Sequence, residues 1–170
     1  MAAFQQLPRL TIEHDATQFT SGADELDAWL RESAFASQHS GNAAVFVATA
    51  GTRIVGYYAL AAASVSNDPL LSPGAVRRHA PDPIPCLLIG RLAVDGEFHG
   101  HRIGRRLFQD ALWRAERLSQ EIEFRALLTH ARDDAARSFY LHLTGSFRES
   151  PSDPHHLFLP LKNLRGLAQA

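Results

Sequence analysis

The stretch Arg91-Leu-Ala-Val-Asp-Gly-Glu-Phe-His-Gly-His-Arg-Ile-Gly-Arg-Arg-Leu107 decides how this chain folds. An apolar run over residues 86–94 enters a short polar loop, and the pattern predicts a helix opening near Gly104. A strand that stops at a glycine-bearing turn and starts a helix aims several unpaired amides at one point. That point lies at the positive end of the helix dipole, so it attracts a phosphate or pyrophosphate. Gly100 and Gly104 allow close approach of backbone to an anion, while Arg102, Arg105 and Arg106 add charge. On its glycines alone, the same turn also reads as a plain strand-to-helix connection.

Working outward, residues 44–49 and 54–63 read as strands joined by the turn Gly51-Thr-Arg53, which makes a hairpin. Before them, residues 19–30 read as a helix start. Ser21 is its expected N-cap, acids fill its first turn, and Leu26, Trp29, Leu30 and Phe35 share one face. Residues 67–85 hold five of the nine prolines and predict a loop with one helical turn around 75–78. The 86–94 strand has few polar interruptions and is expected to be central. A helix over about 104–120 follows, its core face formed by Ile103, Leu107, Phe108, Ala111, Leu112, Ala115 and Leu118. Then come a strand at 124–129, a helix from Asp133 or Asp134 to about Leu143, and final strands at Phe147 and 156–160. With no repeats and no linker, the expectation is α+β in one domain, residues 1–170.

Composition narrows the function. No apolar run approaches the roughly 18 residues a membrane span needs. Residues 1–9 lack the pattern of a secretory signal, so the expected location is the cytoplasm and no membrane partner is expected. The lone Cys86, inside an apolar strand, excludes an intrachain disulfide. A net charge of −1 does not favour nucleic acid by itself, yet residues 99–106 carry three arginines, two histidines and no acid. Arginine's planar fork suits phosphate, although a GC-rich genome produces the same bias.

The element order, with an anion-binding turn after the central strand, resembles the GNAT acetyltransferase superfamily over most of the chain. That family's acyl-CoA signature maps onto His99-Gly-His-Arg-Ile-Gly104, with His99 in a Gln or Arg position and Arg102 where glycine is usual. Asp133-Asp-Ala-Ala-Arg-Ser-Phe-Tyr140, followed by Gly145 and Phe147, resembles the family's Asn-x-x-Ala-x-x-Phe-Tyr helix, with Asp133 in the Asn position. Five ordered blocks narrow the likeness: Phe19-x-x-Gly22 with Leu26 and Trp29-Leu30, Val55 to Ser64, Gly90 to Asp95, His130 to Ala135, and Asp153 to Lys162. Together they resemble the GNAT toxins of type II toxin–antitoxin pairs, which acetylate the α-amine of aminoacyl-tRNA.

The resemblance implies an α+β GNAT fold, with a central mixed, mostly antiparallel sheet splayed at the acyl-CoA site and flanked by helices. It implies acetyl-CoA as co-substrate, with backbone of Leu92, Ala93 and Val94 bonding the pantetheine arm and polarising the thioester carbonyl. The pyrophosphate would lie on His99, Gly100, His101, Arg102, Ile103, Gly104 and Arg105, with Asp133 a further contact. Implied partners are a ribbon–helix–helix antitoxin and aminoacyl-tRNA, and a homodimer is left open.

Tyr140 is the general-acid candidate, because a phenol titrating near ~10 is protonated at neutral pH and can donate to a departing thiolate. The bland alternative is a tyrosine covering core with a solvated hydroxyl. The central strand has no Asp or Glu to deprotonate a lysine, whereas an α-amine with a pKa of about 7.7 is partly neutral already. Cys86 has no adjacent base and is a poor nucleophile. His130 is read as orienting Tyr140 or a water, and His155 and His156 as packing or surface residues. Arg77, Arg78 and Arg91 are candidate RNA contacts; Arg91 also reads as the partner of a buried acid. The histidine spacing predicts no metal site. Two rivals stay open: a GNAT enzyme for a small amine or protein N-terminus, and a catalytically inactive CoA-binding domain.

Overall fold

A computed structural model describes residues 5–168. In chain order these form α1 (Asp24–Glu32), α2 (Ala34–His39), β1 (Ala44–Ala50), β2 (Arg53–Val65), α3 (Gly74–Arg77) and β3 (Ile84–Val94). A 3-10 turn at Gly96–Phe98 leads into α4 (Ile103–Leu118), then β4 (Ala126–His130), α5 (Asp134–Leu143), β5 (Arg148–Ser150), β6 (Asp153–Pro160) and α6 (Leu161–Ala168). The strands make one mixed sheet in the order β1-β2-β3-β4-β6-β5. β3 and β4 are parallel, while β1/β2, β4/β6 and β5/β6 are antiparallel. This is the α+β architecture the sequence predicts, with β3 at its centre.

Contacts divide the chain into two compact units, Met1–Ala61 with Arg91–Ala111, and Ala62–Gly90 with Leu112–Ala170. In the first, Phe19, Leu30, Val45, Val47, Ile54 and Tyr57 form the core. Each such apolar side chain contributes roughly 1.5–3 kcal/mol on burial. Asp110 of α4, fully buried, accepts hydrogen bonds from the Leu7 amide at 3.0 Å and the Tyr58 hydroxyl at 2.5 Å. It thereby fastens the chain's early segment to the helix. In the second unit, Val76, Ile84, Cys86, Ala126, Leu128 and Phe158 pack together. Arg125 holds the proline-rich loop against that core, its guanidinium donating to the Arg78 carbonyl at 2.7 Å.

Several local expectations are corrected. Ser21 does not cap α1: the N-cap is Ala23, without a side-chain bond. Instead the buried Asp27 reaches back and takes the Ser21 amide and hydroxyl, so the acid rather than the serine closes this turn. Phe35 leaves the core face because Ser33 breaks the helix into α1 and α2, and it stands exposed. Leu118 also lies outside the core, since α4 ends there, two residues before the expected terminus. The last strand begins at Asp153 rather than 156, and α6 was not foreseen.

Candidate acyl-CoA site and catalytic helix

In β3, pairing with β4 runs Leu87↔Leu127, Leu88↔Leu128 and Ile89↔Thr129. Beyond Ile89, β3 continues to Arg91, Leu92, Ala93 and Val94. Asp95 then fixes where the loop begins. Its side chain is buried, and it accepts hydrogen bonds from the amides of Glu97 at 2.9 Å and Thr20 at 3.1 Å. Arg53 approaches the same carboxylate at 3.4 Å and that of Glu97 at 3.2 Å. Burial alone would raise the Asp95 carboxyl; the two amides and the guanidinium outweigh it and hold the group below the usual carboxylate range.

From this anchor the chain makes its turn. His99 places Nε2 3.0 Å from the Val94 carbonyl oxygen, folding the loop back on the strand's end. Gly100 takes φ +83° and Arg102 φ +60°. The left-handed value explains why glycine is usual at the Arg102 position, because a Cβ there costs about 1–2 kcal/mol. The first hydrogen bond into α4 runs from the Arg106 amide to the Arg102 carbonyl at 3.1 Å. The amides of Ile103, Gly104 and Arg105 are thus the orphan donors of a helix start. Arg102, Arg105 and Arg106 are exposed around them. Orphan amides and the helix dipole suit this turn to an anion, and with three exposed arginines nearby the residues present fit a pyrophosphate.

The second unit carries α5. Asp133 is its N-cap, one oxygen accepting from the Ala136 amide at 2.8 Å and the other 3.0 Å from Arg132. That explains an acid at this position: it starts the helix, and its oxygens are engaged. Tyr140, one turn from the helix end, is buried with its hydroxyl hydrogen-bonded to Thr129 of β4. Its ring meets Phe147 edge-on at 5.9 Å and Phe139 at 5.2 Å. Burial pushes the phenol up to about 12, against the weaker opposing pull of Thr129. The hydroxyl is therefore neither solvated nor ionised near neutral pH.

His130 pairs with Asp153 at 3.0 Å and stacks on His156. His155 bridges to Asp134 at 2.7 Å, tying β6 to the start of α5. Arg77 donates to the Ser72 carbonyl at 3.0 Å, whereas the Arg78 side chain is exposed. Among the described residues Arg91 pairs with no buried acid; it lies over the Trp29 ring at 4.2 Å. Burial pushes the Cys86 thiol up to about 11, which leaves it unreactive. Among the described residues, no cluster of three His, Cys, Asp or Glu could hold a metal ion. Sequence reasoning missed Thr129 and the Arg53–Asp95 anchor. The Asp95-Gly-Glu run is an Asx-turn signature that would have exposed the latter.

Comparison with known proteins bears on these features together. The acetyltransferase (GNAT) domain family matches residues 41–143, which include β3, the anion cradle and α5. The tRNA-acetylating toxin of Mycobacterium tuberculosis (strain ATCC 25618 / H37Rv) is 41% identical over 167 residues, 98% of each chain. Among solved structures, AtaT complexed with acetyl-methionyl-tRNAfMet superposes with a TM-score of 0.83 at 22% identity, covering 95% of this chain and 98% of that one. A mutant AtaT toxin bound to acetyl-CoA and the C-terminus of the antitoxin AtaR gives 0.80 at 21%, covering 97% and 98%. These structures share the fold. This chain belongs to the GNAT acetyltransferase family.

Proposed function

We propose that this protein is the toxin of a type II toxin–antitoxin pair, transferring acetyl from acetyl-CoA to the α-amine of aminoacyl-tRNA and so inhibiting translation. The relationship to a tRNA-acetylating toxin along nearly the whole chain carries this reading. Acetyl-CoA supplies an activated acetyl thioester. The cradle of Gly100, Arg102, Ile103, Gly104 and Arg105 takes its pyrophosphate, with His99 and His101 alongside. Backbone of Leu92, Ala93 and Val94 orients the acyl arm and stabilises negative charge on the reacting carbonyl oxygen. Tyr140 donates its proton to the departing sulfur, and Thr129 aims that hydroxyl.

The acceptor follows from what β3 lacks. Its sequence IPCLLIGRLAV has no carboxylate to strip a proton from lysine, whose amine titrates near ~10.4. An α-amine at about 7.7 needs little help. The inert Cys86 supports direct attack by the amine rather than transfer through an acyl-enzyme. Residues 1–170 act as a single GNAT domain in this reading, with Arg78 and Arg91 meeting tRNA phosphates. The partner is a ribbon–helix–helix antitoxin and the location is cytoplasmic. Among the described residues no helix is long and apolar enough to cross a membrane.

Cell-free translation tests the proposal. The protein should arrest synthesis only when acetyl-CoA is supplied, and peptidyl-tRNA hydrolase should restore it by clearing acetylated species. Full synthesis with acetyl-CoA and active protein present would contradict it.

A further inference from the structure

The first unit brings Tyr57, Trp29 and Arg91 together, and of these the reading above uses Arg91 alone. Tyr57 is fully buried and donates its hydroxyl to the Leu26 carbonyl of α1 at 2.7 Å. Trp29, also on α1, lies nearly parallel to it, with centroids 6.0 Å apart and planes at 15°. The Arg91 guanidinium carbon lies over the Trp29 ring, 4.2 Å from its centroid. One ring is fully buried, the second stacks on it, and the cation lies over the second.

A cation–π contact of this kind holds a guanidinium in place without using its N–H groups as hydrogen-bond donors. Among the described residues, no carboxylate pairs with Arg91 and no carbonyl accepts from it. Asp27, the acid of α1 that acts on Tyr57, is already engaged by the Ser21 amide and hydroxyl. A partly buried arginine held over a ring, with no acid to neutralise it, is placed to receive an outside oxyanion. The bidentate match to its fork is a phosphodiester's two free oxygens. Arg91 immediately precedes Leu92, and Ala93 lies about 7 Å further along the strand. The receiver is therefore adjacent to the backbone proposed to orient the acyl group.

We infer that Trp29 is a positioning residue, which presents the Arg91 guanidinium to a phosphodiester near the 3′ end of the acceptor RNA. The inference rests on the proposed acetylation of aminoacyl-tRNA and adds the residue pair that anchors that substrate. A phosphate of the acyl donor offers the same chemistry, so the test separates the two sources.

Acetyl transfer to charged tRNA is measured across salt concentrations for wild type, Arg91→Ala, Trp29→Leu, Trp29→Phe and the Arg91→Ala/Trp29→Leu double variant. Losing one single-strand phosphate contact should make the slope of log(kcat/KM) against log[salt] shallower by about 0.7. Arg91→Ala should show that change, with KM for charged tRNA raised on the order of tenfold. Trp29→Leu should match it, the double variant should add nothing, and Trp29→Phe, which keeps a ring face, should restore the wild-type slope. KM for acetyl-CoA should stay unchanged throughout. An unaltered slope in Arg91→Ala, additive losses in the double variant, or a raised KM for acetyl-CoA would overturn the inference alone. Wild type that labels no charged tRNA would overturn the functional reading, and this inference with it.

Discussion

Gly56 of β2 lies so close beneath Ile103 of α4 that a Cβ at Gly56 would stand 2.8 Å from the Ile103 Cγ2. It would also stand 3.1 Å from Cδ1 of Leu107. The first turn of α4, whose amides form the anion cradle, therefore rests on a strand position with no side chain. Gly56→Ala must push that turn outward. Overpacking of this kind costs about 1–3 kcal/mol. Thermal melts should show that loss, and calorimetry should show weaker acetyl-CoA binding than the stability change alone explains. Unaltered affinity would mean that the cradle does not depend on this contact.

Arg102 pulls in two directions. Its positive φ strains the backbone, yet its guanidinium adds charge beside the orphan amides. Arg102→Gly should relieve the strain and raise stability by up to about 1 kcal/mol, while raising KM for acetyl-CoA. A variant both more stable and equally tight for acetyl-CoA would remove this arginine from the cradle.

Tyr140→Phe deletes the proposed proton donor and keeps the ring between Phe139 and Phe147. Loss of a general acid should lower kcat on the order of 10²–10⁴, while the broken hydrogen bond to Thr129 costs only about 1 kcal/mol of stability. Because burial raises the phenol to about 12, wild-type kcat should show no alkaline loss attributable to this group below that value. Unchanged turnover with normal acetyl-CoA affinity would exclude Tyr140.

Asp95 should be felt as acid sensitivity. Its carboxyl titrates lower in the folded protein than in the unfolded chain. Its stabilising contribution is therefore fully present above the unfolded value, about 3.9, and is lost as pH falls through the lower folded one. Asp95→Asn should destabilise the protein by about 1.5–3 kcal/mol at pH 7, because the charge and one of the two acceptor oxygens that serve Thr20, Glu97 and Arg53 are lost. That gap should close in denaturation series below pH 4. A gap independent of pH would assign the effect to packing rather than charge.

The sequence showed its long elements because their periodicity is strong. The alternation and apolar runs of β1 to β4 survive in the structure, as does the core stripe of α4 from Leu107 to Ala115, though not at Leu118. Ends and caps were harder. Ser21 met every local rule for an N-cap, but Asp27, four residues into the helix, competes for the same groups and wins because it is buried with them. Phe35 continued the α1 stripe on paper until Ser33 broke the register. Within the site, the Gly100 turn and the Asp133 helix start were legible from residue type. The role of Thr129 was not, since one threonine in an apolar strand gives no sign of the hydroxyl it faces. The Arg91–Trp29–Tyr57 stack was hidden for a related reason: its members lie far apart in sequence and share no spacing.

The most direct test of the central claim is label transfer from radiolabelled acetyl-CoA to total charged tRNA, with deacylated tRNA in parallel. Label should appear on charged tRNA alone and leave with the amino acid on mild alkaline hydrolysis of the ester. Label on neither RNA, from protein that binds acetyl-CoA, would contradict aminoacyl-tRNA as the acceptor.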